Sequence, residues 1–124
     1  MTTSHTLQQG TFGFGAPEVF GFTTDSEVSP NAASVDMWSL GAVVFRMVTK
    51  AMPFETPGNF FKYASGALPF PHGALEAQDI SKHGQNFILK LMCPDPVERP
   101  SANSATAHPW MTAALTPTGI ISQE

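Results

Sequence analysis

The sequence predicts an all-α fold with long loops, and three observations carry that expectation. A long apolar run, Met37 to Val48, stands behind a capping serine, Ser34. A shorter stripe, Phe87, Ile88, Leu91 and Met92, stands behind another, Ser81. Prolines and glycines gather between such runs, as at Gly66, Pro69, Pro71 and Gly73 and again over Cys93–Pro100. A chain of 124 residues suits one core. At 42% hydrophobic and 13% charged, it belongs with folded chains. Soluble domains usually carry about 25% charged residues, so the shortfall points to surface meant to be covered by a partner or by further chain.

The first residues are polar and then glycine-rich, with Gly10, Gly13 and Gly15 in an extended or looped lead-in. Ala16-Pro17-Glu18-Val19-Phe20 suits one short helical turn, because proline is tolerated where a helix starts. Residues 21–34 are rich in Thr, Ser, Asp, Asn and Pro and read as loop. Ser34 then caps a helix from Val35 to about Lys50, with Asp36 placed well for the helix dipole. Trp38, Leu40, Val43, Val44, Phe45, Met47 and Val48 leave that helix no clean polar face, which is the pattern of a buried core helix. Its β-branched pairs also allow a strand; length and the cap favour helix.

Met52-Pro53-Phe54 closes the central helix, and Gly58–Ala64 reads as a short, partly exposed one. Residues 65–78 read as loop. Ser81 caps a helix to about Met92, weakened slightly by Gly84. Cys93–Pro100 excludes regular helix. A last helix starts after Ser101 and breaks before Pro109, with Trp110 and Met111 packing beyond it and a loose tail from Thr116.

The net charge of −4, without a basic cluster, argues against nucleic acid and anionic membrane as partners. The single cysteine, Cys93, excludes an internal disulfide framework and fits a reducing compartment. The N-terminus has no basic region followed by an apolar stretch, and no apolar run reaches the roughly 20 residues that span a bilayer. An intracellular location, cytoplasmic or nuclear, is expected. His5, His72, His83 and His108 lack metal-ligand spacing.

Four segments in order then give the chain a resemblance. Gly10-Thr11-Phe12-Gly13-Phe14-Gly15-Ala16-Pro17-Glu18 looks like the end of a protein kinase activation segment. Ser34-Val35-Asp36-Met37-Trp38-Ser39-Leu40-Gly41 looks like that family's central buried helix. Met52-Pro53-Phe54 looks like the turn after it. Asp95–Ala102 with His108-Pro109-Trp110-Met111 looks like the last helices of the lobe. The chain thus resembles the back part of the C-terminal lobe of a serine/threonine protein kinase, of the calcium/calmodulin-dependent or checkpoint type.

That resemblance implies a partial kinase-like C-lobe over 16–115, helices around the central one at 35–50, preceded by a flexible activation-segment-like lead-in over 1–15 and followed by a loose tail over 116–124. It implies a substrate groove shaped by Gly10, Thr11, Phe14, Ala16 and Pro17. It implies a buried structural ion pair between Glu18 and Arg99. Asp36, Trp38 and Gly41 become structural anchors of the central helix, and Asp36 is expected to miss the catalytic-loop amides it would accept from. Thr6 is the nearest candidate phosphosite, against the plainer reading of a solvated N-terminus.

Phosphoryl transfer needs a glycine-rich loop, a strand lysine, a His-Arg-Asp loop with its asparagine, and an Asp-Phe-Gly metal site. None stands in these 124 residues. Gly13-Phe14-Gly15 is followed by Ala-Pro-Glu and by no strand, which excludes the nucleotide loop. No catalytic, cofactor-binding or metal-binding residue is therefore expected; ATP and Mg²⁺ belong to a complete kinase. The resulting expectation is a truncated kinase fragment, inactive alone. The alternative is a binding module without catalysis, docking peptides or partner proteins near Phe60-Phe61 and Tyr63. Expected partners are protein or peptide substrates, missing kinase segments, or a second copy met through exposed apolar surface.

Overall fold

The computed structural model describes residues 14–21 and 31–115. The lead-in over 1–13, most of the loop over 22–30 and the tail over 116–124 lie outside the described residues. Among the described residues the architecture is helical without strands.

The central helix, α1, runs Ala32–Thr49. It begins three residues before the expected start, and Ser34 is not its cap. Asn31 takes that role: its side-chain oxygen accepts from the Ser34 N–H at 3.1 Å. Asparagine and serine cap about equally well, and Ala32 and Ala33 extend the helix at no side-chain cost, so the earlier cap prevails. The helix ends at Thr49, close to the expected Lys50 and before Met52-Pro53-Phe54. Lys50 turns left-handed at φ 65° and returns its N–H to the Arg46 carbonyl.

α1 buries one side, not its whole circumference. Met37, Trp38, Gly41, Ala42 and Phe45 point inward at helical spacing. Leu40, Val43 and Met47 face outward, Met47 at 69% exposure. The inner side packs on α4, Lys82–Leu91, which Ser81 caps by accepting from the Gly84 N–H at 3.1 Å. Ile88 and Leu91 are buried there, and Phe87 is buried beside Trp110. The two helices meet at Gly41. A Cβ there would lie 2.7 Å from Met92 Cγ and 2.8 Å from Leu91 Cβ, so only a bare backbone fits.

Between them, α2 spans Pro57–Ser65, capped by Thr56 and stopped by left-handed Gly66. It is partly exposed, as expected, with Phe60 and Tyr63 buried. They join Phe54, Phe70 and Trp38 in one aromatic cluster. A helix also forms where 65–78 reads as loop: α3, His72–Ala77. Six residues flanked by prolines and glycines carry little local helix preference. Leu75, fully buried, supplies the tertiary reason.

Pro96–Glu98 makes a 3-10 turn, and Ser101 caps α5, Ala102–Thr106. A further helix, α6, Pro109–Leu115, starts at the proline expected to stop helix formation. Proline at the first helical position gives up an N–H that would be unpaired anyway. Trp110 of α6 lies over Gly84, whose imagined Cβ would be 2.9 Å from the indole. The glycine that weakens α4 by propensity is what lets α6 dock.

Gly41→Ala is expected to lower unfolding free energy by about 1–3 kcal/mol in urea denaturation, because Leu91 and Met92 must move from α1. Gly58→Ala, whose Cβ would meet only a side-chain oxygen at 3.7 Å, should change little and serves as the control.

Candidate functional site

The site is built around Phe14–Gly21, a segment with almost no regular structure that is nonetheless fixed in place. Pro17–Phe20 forms a 3-10 turn ended by Gly21 at φ 76°. The Phe14 carbonyl accepts from Ser39 Oγ at 2.6 Å, tying the segment to α1. Ala16 and Pro17 are buried, and Phe20 meets Phe60 edge to face at 5.7 Å. Burying Glu18 would be costly without a partner.

Arg99 is that partner. Its Nη1 and Nη2 donate to the two Glu18 carboxylate oxygens at 2.7 and 2.8 Å, a planar fork on a planar carboxylate. Its other donors are equally committed. Nε donates to the Cys93 carbonyl at 2.7 Å, Nη1 to the Ser34 carbonyl at 2.9 Å, and Nη2 to the Pro94 carbonyl at 3.3 Å. All five guanidinium N–H groups are used. The guanidinium carbon lies 5.2 Å from the centre of the Trp38 ring, in cation–π range. The Arg99 side chain is 0% and the Glu18 side chain 3% exposed. One cation thus joins the 14–21 segment, the first turn of α1 and the turn after α4.

A second polar anchor braces the same core. Tyr63 donates its hydroxyl to the Met92 carbonyl at 2.8 Å. Burial pushes this phenol well above its ordinary range, and Cys93 adds to that, with Arg99 opposing, so Tyr63 stays a neutral donor.

Of the groove residues read from sequence, Gly10 and Thr11 lie outside the described residues, as does the candidate phosphosite Thr6. Phe14 is half-buried, and Ala16 and Pro17 face inward, so they offer a peptide backbone shape and not side chains. Trp38 and Gly41 sit in the core. Asp36 is exposed at the start of α1. Water therefore solvates its carboxylate, and the expected penalty of an unsatisfied buried group does not arise. Phe60, read as part of an exposed pair, is buried at 1%, while Phe61 is 49% exposed. Sequence reasoning missed Ser39 and the three carbonyls around Arg99. A hydroxyl inside an otherwise apolar helix face was the available sign of the first; backbone acceptors leave none.

Among the described residues no three His, Cys, Asp or Glu side chains gather where they could hold a metal ion.

Residues 1–111 match the family model of the protein kinase domain. The chain is 31% identical over 109 residues to the calcium/calmodulin-dependent protein kinase cmkA of Emericella nidulans, covering 86% of this chain and 24% of that protein. It is 34% identical over 112 residues to the serine/threonine-protein kinase RAD53 of Saccharomyces cerevisiae, covering 82% and 13%. It thus spans at most about a quarter of the length of these two curated relatives. A crystal structure of Rad53 in complex with AMP-PNP superposes with a TM-score of 0.65 at 31% identity, over 82% of this chain and 26% of that one. The twitchin kinase region from C. elegans gives 0.63 at 32% identity, over 87% and 18%.

Glu18→Gln is expected to cost about 3–5 kcal/mol in denaturant unfolding, since it strands a buried guanidinium. The charge-swapped pair, Glu18→Arg with Arg99→Glu, should show no rescue. A carboxylate at position 99 would face the Cys93, Ser34 and Pro94 carbonyls. Recovery of stability in the swapped pair would mean that the three carbonyl contacts contribute little.

Proposed function

This chain belongs to the protein kinase family, and from that premise we propose that its 124 residues are the scaffold part of a serine/threonine kinase catalytic domain, unable to transfer phosphate alone. In the complete enzyme the reaction is transfer of the ATP γ-phosphoryl group to a protein serine or threonine, assisted by Mg²⁺. The observation that carries the reading is the Glu18–Arg99 pair, which pins the Phe14–Gly21 segment to the helical core. In this reading the scaffold supplies a fixed backbone platform for a substrate peptide, and the reacting groups come from segments outside these residues. Positioning supplies most of the catalysis in phosphoryl transfer, so a rigid platform is a real part of the machinery even without a reacting side chain.

The purified chain, given ATP, Mg²⁺ and a mixture of serine- and threonine-containing peptides, is expected to transfer no phosphate above a protein-free blank. A chimera with residues 14–115 in place of the matching segment of the Rad53 kinase domain should regain transfer. Its Glu18→Gln form should lose most of that rate. Turnover by the chain alone, abolished by Glu18→Gln, would overturn the reading, and so would a folded chimera that is silent.

The second reading, a docking module without catalysis, is favoured by the outward apolar residues Leu40, Val43 and Met47 on α1. Such a stripe also serves self-association or the docking of further kinase segments. Sedimentation at rising concentration should reveal oligomers, dispersed by Val43→Glu with Met47→Glu. A monomer at all concentrations would remove self-association from the account.

A further inference from the structure

We propose that His108 is a pH-sensitive latch that fastens α6 to α4 while its ring is neutral and releases α6 when the ring takes a second proton. The device is independent of the phosphotransfer reading, because it rests on contacts within α4, α5 and α6.

Both ring nitrogens are engaged, and their roles are fixed by the partners. Nδ1 accepts from the Trp110 backbone N–H at 3.0 Å. A backbone amide is only a donor, so Nδ1 carries no hydrogen. Nε2 therefore bears the ring proton of the neutral form and donates to Asn86 Oδ1 at 2.8 Å. The His108 carbonyl also accepts from the Met111 and Thr112 amides, each at 2.9 Å. One residue thus caps α6 through its side chain, starts it through its carbonyl, and ties it to α4 through Asn86.

Protonation discriminates at a single atom. Asn86 accepts from Nε2–H in either state. At Nδ1, a new proton would point at the Trp110 N–H, donor against donor, and the cap would be lost. The surrounding charges act in the same direction on balance. Partial burial disfavours the cation first; the nearby His83 ring and Lys90 ammonium of α4 add to it. Glu98 lines the same cleft with Lys90, Ser104 and His108, and it is the opposing carboxylate there. The net effect holds His108 below the ordinary histidine range. Trp110 depends on the latch. Its indole lies over Gly84 and 5.4 Å from the Phe87 ring, so release of α6 uncovers an apolar patch on α4.

The sign follows from the lowered value. The unfolded chain binds a proton near pH 6.5 more readily than the folded ring does, so the contribution of His108 to stability is present above that pH and is lost as pH falls through the lowered folded value. Nitrogen-15 NMR of the histidine rings and backbone amides, followed from pH 8 to pH 5, tests the latch. At the high end His108 should show the Nε2–H tautomer. Its titration should fall below the ordinary histidine range, and the Trp110, Met111 and Thr112 amides should lose their helical shifts in the same step. His108→Asn retains a side-chain oxygen able to cap Trp110 but does not titrate in this range, so it should remove the step while keeping α6 formed. An Nδ1–H tautomer, a ring titrating at or above its ordinary value, or α6 amides unmoved through the titration would each overturn the proposal. If His108→Asn does not fold, the wild-type titration decides alone.

Discussion

The buried pair of Glu18 and Arg99 is the constraint on which the rest of this structure depends. Two charges leave water together only when every hydrogen-bonding position is matched, because desolvation otherwise exceeds the attraction gained. Here the match on the arginine side is complete. Four parts of the chain meet at one guanidinium: the Glu18 turn, the Ser34 carbonyl in α1, the Cys93–Pro94 stretch after α4, and Arg99 itself after the Pro96–Glu98 turn. Apart from α1, none of these stretches is long enough to hold its position alone. The proline-rich segment around Arg99 cannot form regular helix, and the 14–21 segment is a single turn. Lysine would bring one charge but three donors on a flexible stem, and could not tie the same groups in one plane.

Packing supplies the second constraint. α1 and α4 approach where Gly41 removes a side chain, and α4 and α6 approach where Gly84 does the same. Both glycines lie in helices, where each costs about 1 kcal/mol of helix preference relative to alanine. That local cost is offset by contacts reachable only through bare backbone, at Leu91 and Met92 in one case and Trp110 in the other. Trp38 links the two constraints, since its ring lies beneath Arg99 and beside Phe60 and Tyr63.

What the sequence made legible follows the range of the interactions. α4 was readable because Ser81 and the Phe87–Met92 stripe are local features, and the all-α class followed from it and from the α1 run. The start of α1 was misplaced because Asn31 and Ser34 both suit a cap, and only the fold decides between them. α3 and α6 were missed for one reason: each is short, rich in or led by proline, and held by contacts distant in sequence, at Leu75 and at Trp110. At the site, the family resemblance pointed to Glu18 and Arg99 together, which composition and spacing do not. The Ser39 contact with Phe14 was hidden because a serine in an apolar run carries no direction.

The polar and apolar accounts of this scaffold differ, and the difference bears on what it is for. Every donor of Arg99 finds its acceptor within residues 18–94, Tyr63 donates to the Met92 carbonyl and Ser39 to the Phe14 carbonyl. These polar anchors among the described residues are matched. The apolar surface on the outer side of α1 is not. Leu40, Val43 and Met47 hold part of the burial that a large side chain can contribute, about 1.5–3 kcal/mol each, unused on the outer side of α1. Asp36 lies in solvent near the start of the same helix. In the proposed docking reading, this outer side of α1 is the surface that a partner or a further kinase segment would cover. That outer side and the anchor of the 14–21 segment belong to one helix, linked to the segment through Ser39 and Phe14. A partner docked on α1 would therefore bear on the element that holds the 14–21 segment in place.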